Sequence, residues 1–313
     1  MNLKTSIIIV NYNTTAILRD CIESIFKFEK HDNFEIIIID NDSKEDSQKL
    51  IEELKKEYNN INSIYLTELK SYSYANNRGI ECSNGEFILI MNPDIIFVQP
   101  LFENIISQFN INKKIGAIAP ALTGIDGKLQ KFYYQKYPTI KQFIFFHSMI
   151  LRFFYKTAFF VNRYQIDNRI NLKNKNTFFV EHIPGAFFFT SRNVLNEVGL
   201  MDENFMLFYE DTDLSYRIRK KFELVVDTSM QIRHLGGTSF KEMQWWIYGR
   251  FISSMIYFFK KHYSNRRFKT LKNLSVFNAK CILFIEKILK LFGKKNEFRI
   301  KKYNNFLNLV KEI

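Results

Sequence analysis

Three short runs without a polar residue, Ile7-Ile8-Ile9-Val10, Ile36-Ile37-Ile38-Ile39 and Phe87-Ile88-Leu89-Ile90-Met91, set the strongest limit on how this chain can fold. A strand with one wet face alternates apolar and polar residues, so a strand apolar at every position is covered on both faces. Segments of helical period lie between the runs. Thr14 or Thr15 can cap a helix in which Ile17, Leu18, Cys21, Ile22, Ile25 and Phe26 recur at helical spacing. Ser43 starts a charged helix through Leu50, Ile51 and Leu54, and Tyr72 to Cys82 reads as another. Ile61 to Leu66 and Ile115 to Ala119 add strands, with a helix after Pro100. The alternation predicts an α/β fold whose mostly parallel sheet is flanked by helices.

The pattern breaks at residues 131–182, where Phe143, Phe145, Phe146, Phe153, Phe154, Tyr155, Phe159 and Phe160 are punctuated by Lys141, Arg152, Lys156 and Arg163. It returns with strands Phe178 to Val180 and Ala186 to Thr190, a helix around Asp211 to Lys221, and strands Leu224 to Val226 and Gln231 to His234. The expected organisation is a domain over 1–240 with a basic, aromatic, helical insertion at 131–182, then an amphipathic helical region over 241–313.

Charge follows the same division. The net +13 is carried by residues 241–313, with seventeen Lys and Arg against four Asp and Glu; residues 1–240 are neutral overall. A nucleic-acid binder spreads positive charge over the binding face of its folded domain. Here the basic segments are also the aromatic ones, which points to an anionic membrane surface and away from nucleic acid. No stretch is long and uncharged enough to span a bilayer. Phe277, Phe284 and Leu291 repeat every seven residues beside Lys280, Lys287 and Lys294, a spacing that suits snorkelling at an interface. Trp245 to Phe259 suits core packing, membrane contact or a homodimer equally well. Three widely spaced cysteines make neither a disulfide framework nor a metal site, and fit a reducing compartment. Met1-Asn2-Leu3-Lys4 runs straight into a strand, so a secretory leader is not expected.

The chemistry sits at strand ends. Asn92-Pro93-Asp94 follows the buried run 87–91, Asp40 and Asp42 close an earlier one, and Glu210-Asp211-Thr212-Asp213 precedes His234. Carboxylates from several strand ends with one late histidine suit a divalent metal, Mg or Mn, holding a phosphorylated substrate. Asn11-Tyr12-Asn13-Thr14 replaces a glycine-rich turn after the first strand, which argues against a dinucleotide fold. Asp40 can accept from a base imide N–H, with Asn11 and Tyr12 framing the base. Read alone, Asp40 to Ser43 also suits a turn and helix cap, Glu210 to Asp213 an acidic helix start, and His234 a bonded core histidine. Arg192 suits phosphate or a structural ion pair.

Together Ser6 to Asn13, Ile39 to Ser43, Asn77-Arg78-Gly79, Asn92-Pro93-Asp94, Pro184-Gly185-Ala186, Phe208 to Leu214 and His234 to Gly237 stand in the order seen in family 2 glycosyltransferases. Over residues 5–240 the chain most resembles bacterial rhamnosyltransferases that build surface polysaccharides. The resemblance implies a GT-A fold, a dTDP- or UDP-sugar donor and a divalent metal. It also implies inversion at the anomeric carbon and a saccharide acceptor, lipid-linked, at the cytoplasmic face of the cell membrane. It assigns Asn11, Tyr12 and Asp40 to base and ribose, and Asn77, Arg78 and Asn92 to the donor pocket. Asp94 and His234 fall to the metal, Asp211 to the catalytic base, Glu210 to the acceptor hydroxyl, and Pro184, Gly185 and Ala186 to the acceptor side. Asn92 stands where the family's metal motif has its first acid, which leaves one anionic ligand fewer. A nucleotidyltransferase and a non-catalytic membrane-bound scaffold are the competing readings.

Overall fold

The computed structural model describes residues 4–149, 161, 166–173, 176–205, 207–236, 244–294 and 296–313. Arg152, Phe153, Phe154, Tyr155, Lys156, Phe159, Phe160 and Arg163 of the aromatic segment, and Gly237 after His234, lie outside the described residues. The chain forms two compact units. One comprises Met1–Gln135, Asp167–Asn204 and Glu210–Ser239; the other comprises Lys136–Ile166, Phe205–Tyr209 and Phe240–Ile313. Lys136–Ile166 of the first basic segment thus shares a unit with the C-terminal one, while residues 131–135 and 167–182 stay with the sheet.

The first unit is built on a nine-stranded sheet in the order β3-β2-β1-β4-β8-β6-β9-β5, with β7 paired to β9. Strands β1 (Thr5–Asn11), β2 (Phe34–Asn41), β3 (Ile61–Leu66) and β4 (Phe87–Met91) are parallel neighbours. Every residue of β1, β2 and β4 is buried, as their unbroken apolar sequences require. Helices α1 (Thr15–Phe28), α2 (Glu45–Glu57), α3 (Tyr72–Glu81) and α4 (Phe102–Ile111) connect and cover them. In α3, Gly79 lies so close to the sheet that a Cβ there would come within 2.6 Å of Ile8 and Ile39. Each buried isoleucine of these strands contributes about 2 kcal/mol through removal from water.

The sheet is mixed beyond β4, and the reversal matters. β8 (Phe187–Ser191) runs antiparallel to β4, pairing Met91 with Phe187 and Phe87 with Ser191. Its start therefore lies at the carboxyl end of the parallel strands, which brings residues 184–186 beside Asn92. β6 (Ile115–Thr123) and β9 (Glu223–His234) run parallel, with a break in register between Pro120 and Ala121. The short β5 (Ile95–Phe97) pairs antiparallel with β9, Ile95 opposite His234. β7 (Thr177–Phe179) also pairs with β9. Helix α5 (Ile140–His147) belongs to the second unit; α6 (Arg192–Val198) and α7 (Glu210–Ile218) complete the first.

The second unit is helical among its described residues. Helices α8 (Gln244–His262), α9 (Asn265–Leu291) and α10 (Glu297–Leu309) pack together with α5. In α8, Ile252, Met255, Ile256, Phe258 and Phe259 are buried, and Tyr248 meets the Tyr303 ring at 5.2 Å. These residues of the helix are spent on core packing, while Trp245 at its start is exposed. Glu286 is buried on α9 and receives Arg299 of α10 at 2.6 Å. The opposite face of α9 carries Phe277, Phe284 and Leu291 at 64%, 63% and 83% exposure.

Candidate active site

Asn92, Gly185 and Asp211 meet through one loop. The Ala186 carbonyl accepts from the Asn92 N–H at 3.1 Å, and the Gly185 N–H donates to Asp211 Oδ2 at 2.8 Å. Tyr72, at the start of α3, donates to Asn92 Oδ1 at 3.1 Å and lies 3.4 Å from the Gly185 carbonyl. Burial first, then the charges of Glu210, Asp211 and Asp94, push the Tyr72 phenol far above its ordinary range, so it stays a donor. All three acids therefore act on one ring. A Cβ on Gly185 would stand 3.2 Å from Asp211 Oδ2, so only glycine lets the loop lie against this carboxylate without shifting it.

Glu210 and Asp211 open α7 directly after Phe208 and Tyr209, which both take positive φ (67° and 68°). Two such residues in succession cost roughly 1 kcal/mol or more each and turn the chain sharply into the helix. The two carboxyls are driven apart. Burial, then the charge of Asp211, pushes Glu210 up to about 8, so it is protonated at neutral pH. Burial is also the largest single influence on Asp211, and would raise it. His182 together with the N–H groups of Gly185 and Thr212 outweighs burial and holds Asp211 below its ordinary value. One neutral and one ionised carboxyl side by side is the arrangement that separates a hydrogen-bond donor from a base.

Asp94 and His234 are joined by the β5–β9 ladder, with His234 Nε2 3.3 Å from Asp94 Oδ1. Gln130 fixes the imidazole: its Nε2 donates to the His234 carbonyl at 2.9 Å, so the oxygen of that amide faces His234 Nδ1 at 2.7 Å. Nδ1 then carries the proton and the Nε2 lone pair faces the carboxylate. Asp94 Oδ1 is buried and makes no hydrogen bond among the described residues. Two facing lone pairs need a cation between them, either a second ring proton or a metal ion. The donor set of one carboxylate and one imidazole fits a divalent ion whose other ligands are phosphate and water oxygens. Among the described residues no group of three metal-ligating side chains forms, in keeping with asparagine at position 92.

Asn11 and Asp40 pair across β1 and β2, with the Asn11 amide donating to Asp40 Oδ1 at 2.7 Å. That amide also contacts Ser43 and Ser47, and its oxygen accepts from Thr14. Thr14 thus precedes α1 without capping it, because its hydroxyl is used on Asn11. Both Asn11 and Asp40 are fully buried and Tyr12 is partly exposed. The Asn77 amide is spent on Met201, donating to its carbonyl at 2.9 Å and accepting from its N–H at 3.1 Å. Arg78 pairs with Glu81 and Glu203 near the surface. These two side chains staple the loop before residue 204 to α3 in this structure. Among the described residues Arg192 makes no ion pair and reaches no strand end of the site: it donates to the Gly85 and Ser83 carbonyls at the other end of β4.

Sequence reasoning passed over Tyr72, Gln130 and His182. None stands in a motif, and each acts on a partner twenty or more residues away in the chain that only the fold brings near. The one available signal was position: His182 immediately precedes Ile183-Pro184-Gly185, at the edge of a recognised motif.

A model of the family described as Glycosyl transferase family 2 matches residues 6–199. An enzyme of Methanococcus voltae named dolichyl N-acetyl-alpha-D-glucosaminyl phosphate 3-beta-D-2,3-diacetamido-2,3-dideoxy-beta-D-glucuronosyltransferase is 33% identical over 128 residues, 40% of this chain and 39% of that protein. Minor teichoic acid biosynthesis protein GgaB of Bacillus subtilis is 30% identical over 117 residues, 36% of this chain and 13% of that protein. The chain thus spans about two-fifths of the first of these relatives and less of the second. Mannosyltransferase PcManGT from Pyrobaculum calidifontis, solved with GDP-Man and Mn2+, has the same fold at TM-score 0.57 and 12% identity, covering 100% of this chain and 87% of that one. GalNAc-T7, solved with UDP, GalNAc and Mn2+, gives TM-score 0.57 at 16% identity over 75% of this chain and 43% of that one. The architecture is GT-A: a mostly parallel mixed sheet flanked by helices, with a helical C-terminal region.

Proposed function

The chain belongs to glycosyl transferase family 2, and on that premise we propose that it is an inverting, metal-dependent transferase. It moves a sugar from a nucleoside-diphosphate donor to a saccharide acceptor. The observation that carries this reading is the loop of residues 184–186, which ties Asn92 of the donor side to Asp211 of the acceptor side. Asp211, ionised, takes the proton of the acceptor hydroxyl as the new glycosidic bond forms and the nucleoside diphosphate leaves from the opposite face of the sugar. Glu210, neutral, donates to the acceptor oxygen and orients it. Tyr72 holds Asn92 and the Gly185 loop in one geometry. Asp94 and His234 would hold the divalent ion, which when bound offsets negative charge on the leaving diphosphate. Asn11, Tyr12 and Asp40 would frame the base, and Asn77 and Arg78 keep α3 in place behind the donor.

Rhamnose from a dTDP-linked donor is the first sugar to try, on the likeness of the motifs to the rhamnosyltransferase branch. The name of the Methanococcus voltae relative describes a dolichyl-linked substrate, which supports a lipid-linked acceptor. A panel of nucleotide sugars, scored by thermal shift and by nucleotide release with manganese, magnesium or chelator, tests the reading. One donor should stabilise and be consumed only with metal. Full activity in excess chelator would remove the metal role of Asp94, and consumption of no donor would favour a scaffold.

We place the enzyme peripherally on the inner face of the cell membrane. No helix among the described residues is long and apolar enough to cross a membrane, so contact rests on a surface. The exposed Phe277, Phe284, Ile288 and Leu291 line one face of α9, and Lys280, Lys287, Lys290 and Lys294 beside them are exposed. Apolar rings bordered by ammonium groups complement an anionic bilayer. Flotation with phosphatidylglycerol vesicles should recover the protein at low salt and lose it at high salt. Phe284→Ser with Leu291→Ser should lower partitioning at least about tenfold. Equal recovery with neutral vesicles, or a concentration-dependent dimer that these changes abolish, would overturn it.

A further inference from the structure

The geometry points to His182 as the residue that keeps Asp211 ionised and fixed against the Gly185 loop. This rests on the reading of Asp211 as base, and His182 acts through it as a positioning residue. His182 Nε2 lies 3.2 Å from Asp211 Oδ2, the oxygen that also accepts from the Gly185 N–H. Asp211 Oδ1 accepts from the Thr212 N–H at 2.7 Å. The carboxylate is thus gripped at both oxygens.

The imidazole has no other use. Its side chain is 7% exposed, and among the described residues neither ring nitrogen makes a hydrogen bond to any other group. Val180 and Ile183 on either side of it are buried, so an apolar side chain would suit the place better for stability. Burying an imidazole with so little compensation is costly, and the carboxylate is what offsets the cost. The loop is itself anchored to α7, since the Ile183 N–H donates to Ser215 Oγ at 3.1 Å. His182 and Asp211 therefore move together or not at all.

The need for such a partner follows from the surroundings. Asp211 is buried beside Glu210, and burial favours its neutral form, which cannot accept a proton. The titratable groups facing the pair are Glu210 of α7 and Tyr72 of α3. Among the described residues neither of these donates to Asp211, whereas His182 Nε2 faces its Oδ2.

Two substitutions of matched size separate this role from mere packing. Gln at position 182 can still donate an N–H to Asp211, whereas Met cannot. With the donor found in the panel, His182→Met should lose about tenfold or more in kcat at pH 7 with the donor KM unchanged. The loss should recover as the pH rises, because a carboxyl whose titration has moved upward is ionised again at higher pH. His182→Gln should stay within about threefold of the original. Independently of turnover, the carbon-13 signal of the Asp211 carboxyl should titrate about one pH unit higher in the Met variant than in the unchanged protein. Unchanged kcat in His182→Met, equal losses in both variants without recovery at high pH, or an unmoved carboxyl titration would overturn the assignment. If the unchanged protein consumes no nucleotide sugar, the base reading falls, and the carboxyl titration still decides whether His182 holds the charge on Asp211.

Discussion

Asp211→Asn should lower turnover roughly 10²- to 10⁴-fold, the contribution usual for a positioned general base. The amide keeps the size and shape of the carboxylate but has no affinity for the acceptor proton. It also meets the surrounding donors badly. The Gly185 and Thr212 N–H groups point at the two oxygens, so one of them must face the NH₂ of asparagine. That mismatch costs about 1–3 kcal/mol of stability, small enough for the sheet to survive. Donor binding should be retained, because the proposed role of Asp211 is toward the acceptor and not the donor. Nucleotide release under saturating donor gives the rate, and thermal shift with the donor gives the binding. Wild-type turnover would remove Asp211 as base; loss of donor binding in parallel would mean a disturbed fold.

Much of this arrangement could be read from the chain before any coordinates. Ile36 to Ile39 and Phe87 to Met91 were expected as strands and lie in β2 and β4, because unbroken apolar runs allow little else. The ends carrying Asp40 and Asn92 followed from the same runs. Other elements were hidden for physical reasons. Leu224 to Val226 and Gln231 to His234 were expected as two strands, yet the backbone from Glu223 to His234 is one strand, with a break in register between Pro120 and Ala121 of its partner strand β6. β5 has three residues directly after a Pro-Asp turn, too few for any periodicity, and it becomes a strand only because β9 is there to pair with it. α6 was missed for the same reason of length, its start marked only by the Ser191 hydroxyl that accepts from Val194. The contacts of the site were the least legible. Tyr72 reaches Asn92 and Gly185, Gln130 reaches His234, and His182 reaches Asp211 only once β8 has reversed the chain.

Glu210→Gln should make the protein more stable, and the gain should grow with pH. Burial, then the charge of Asp211, pushes the Glu210 carboxyl up to about 8 from an ordinary value of 4.5. Between those two values the unfolded chain has lost this proton and the folded chain keeps it. The folded state then binds more protons than the unfolded one, so stability falls as pH rises through the window, by about 1.4 kcal/mol per unit for one group. Glutamine matches the protonated acid in shape and does not titrate. The difference in unfolding free energy between variant and original should therefore be near zero at pH 4 and reach the order of a few kcal/mol by pH 8. Glu29, pushed up to about 7 by burial, bends both curves the same way and cancels in the difference. Turnover should fall far less than in Asp211→Asn, because the amide can still donate to the acceptor oxygen. Urea unfolding of both proteins at pH 5, 6.5 and 8 decides the matter. A gap that does not widen with pH would mean that Glu210 is ionised in the folded protein, and the division of labour between the two carboxyls would have to be reversed.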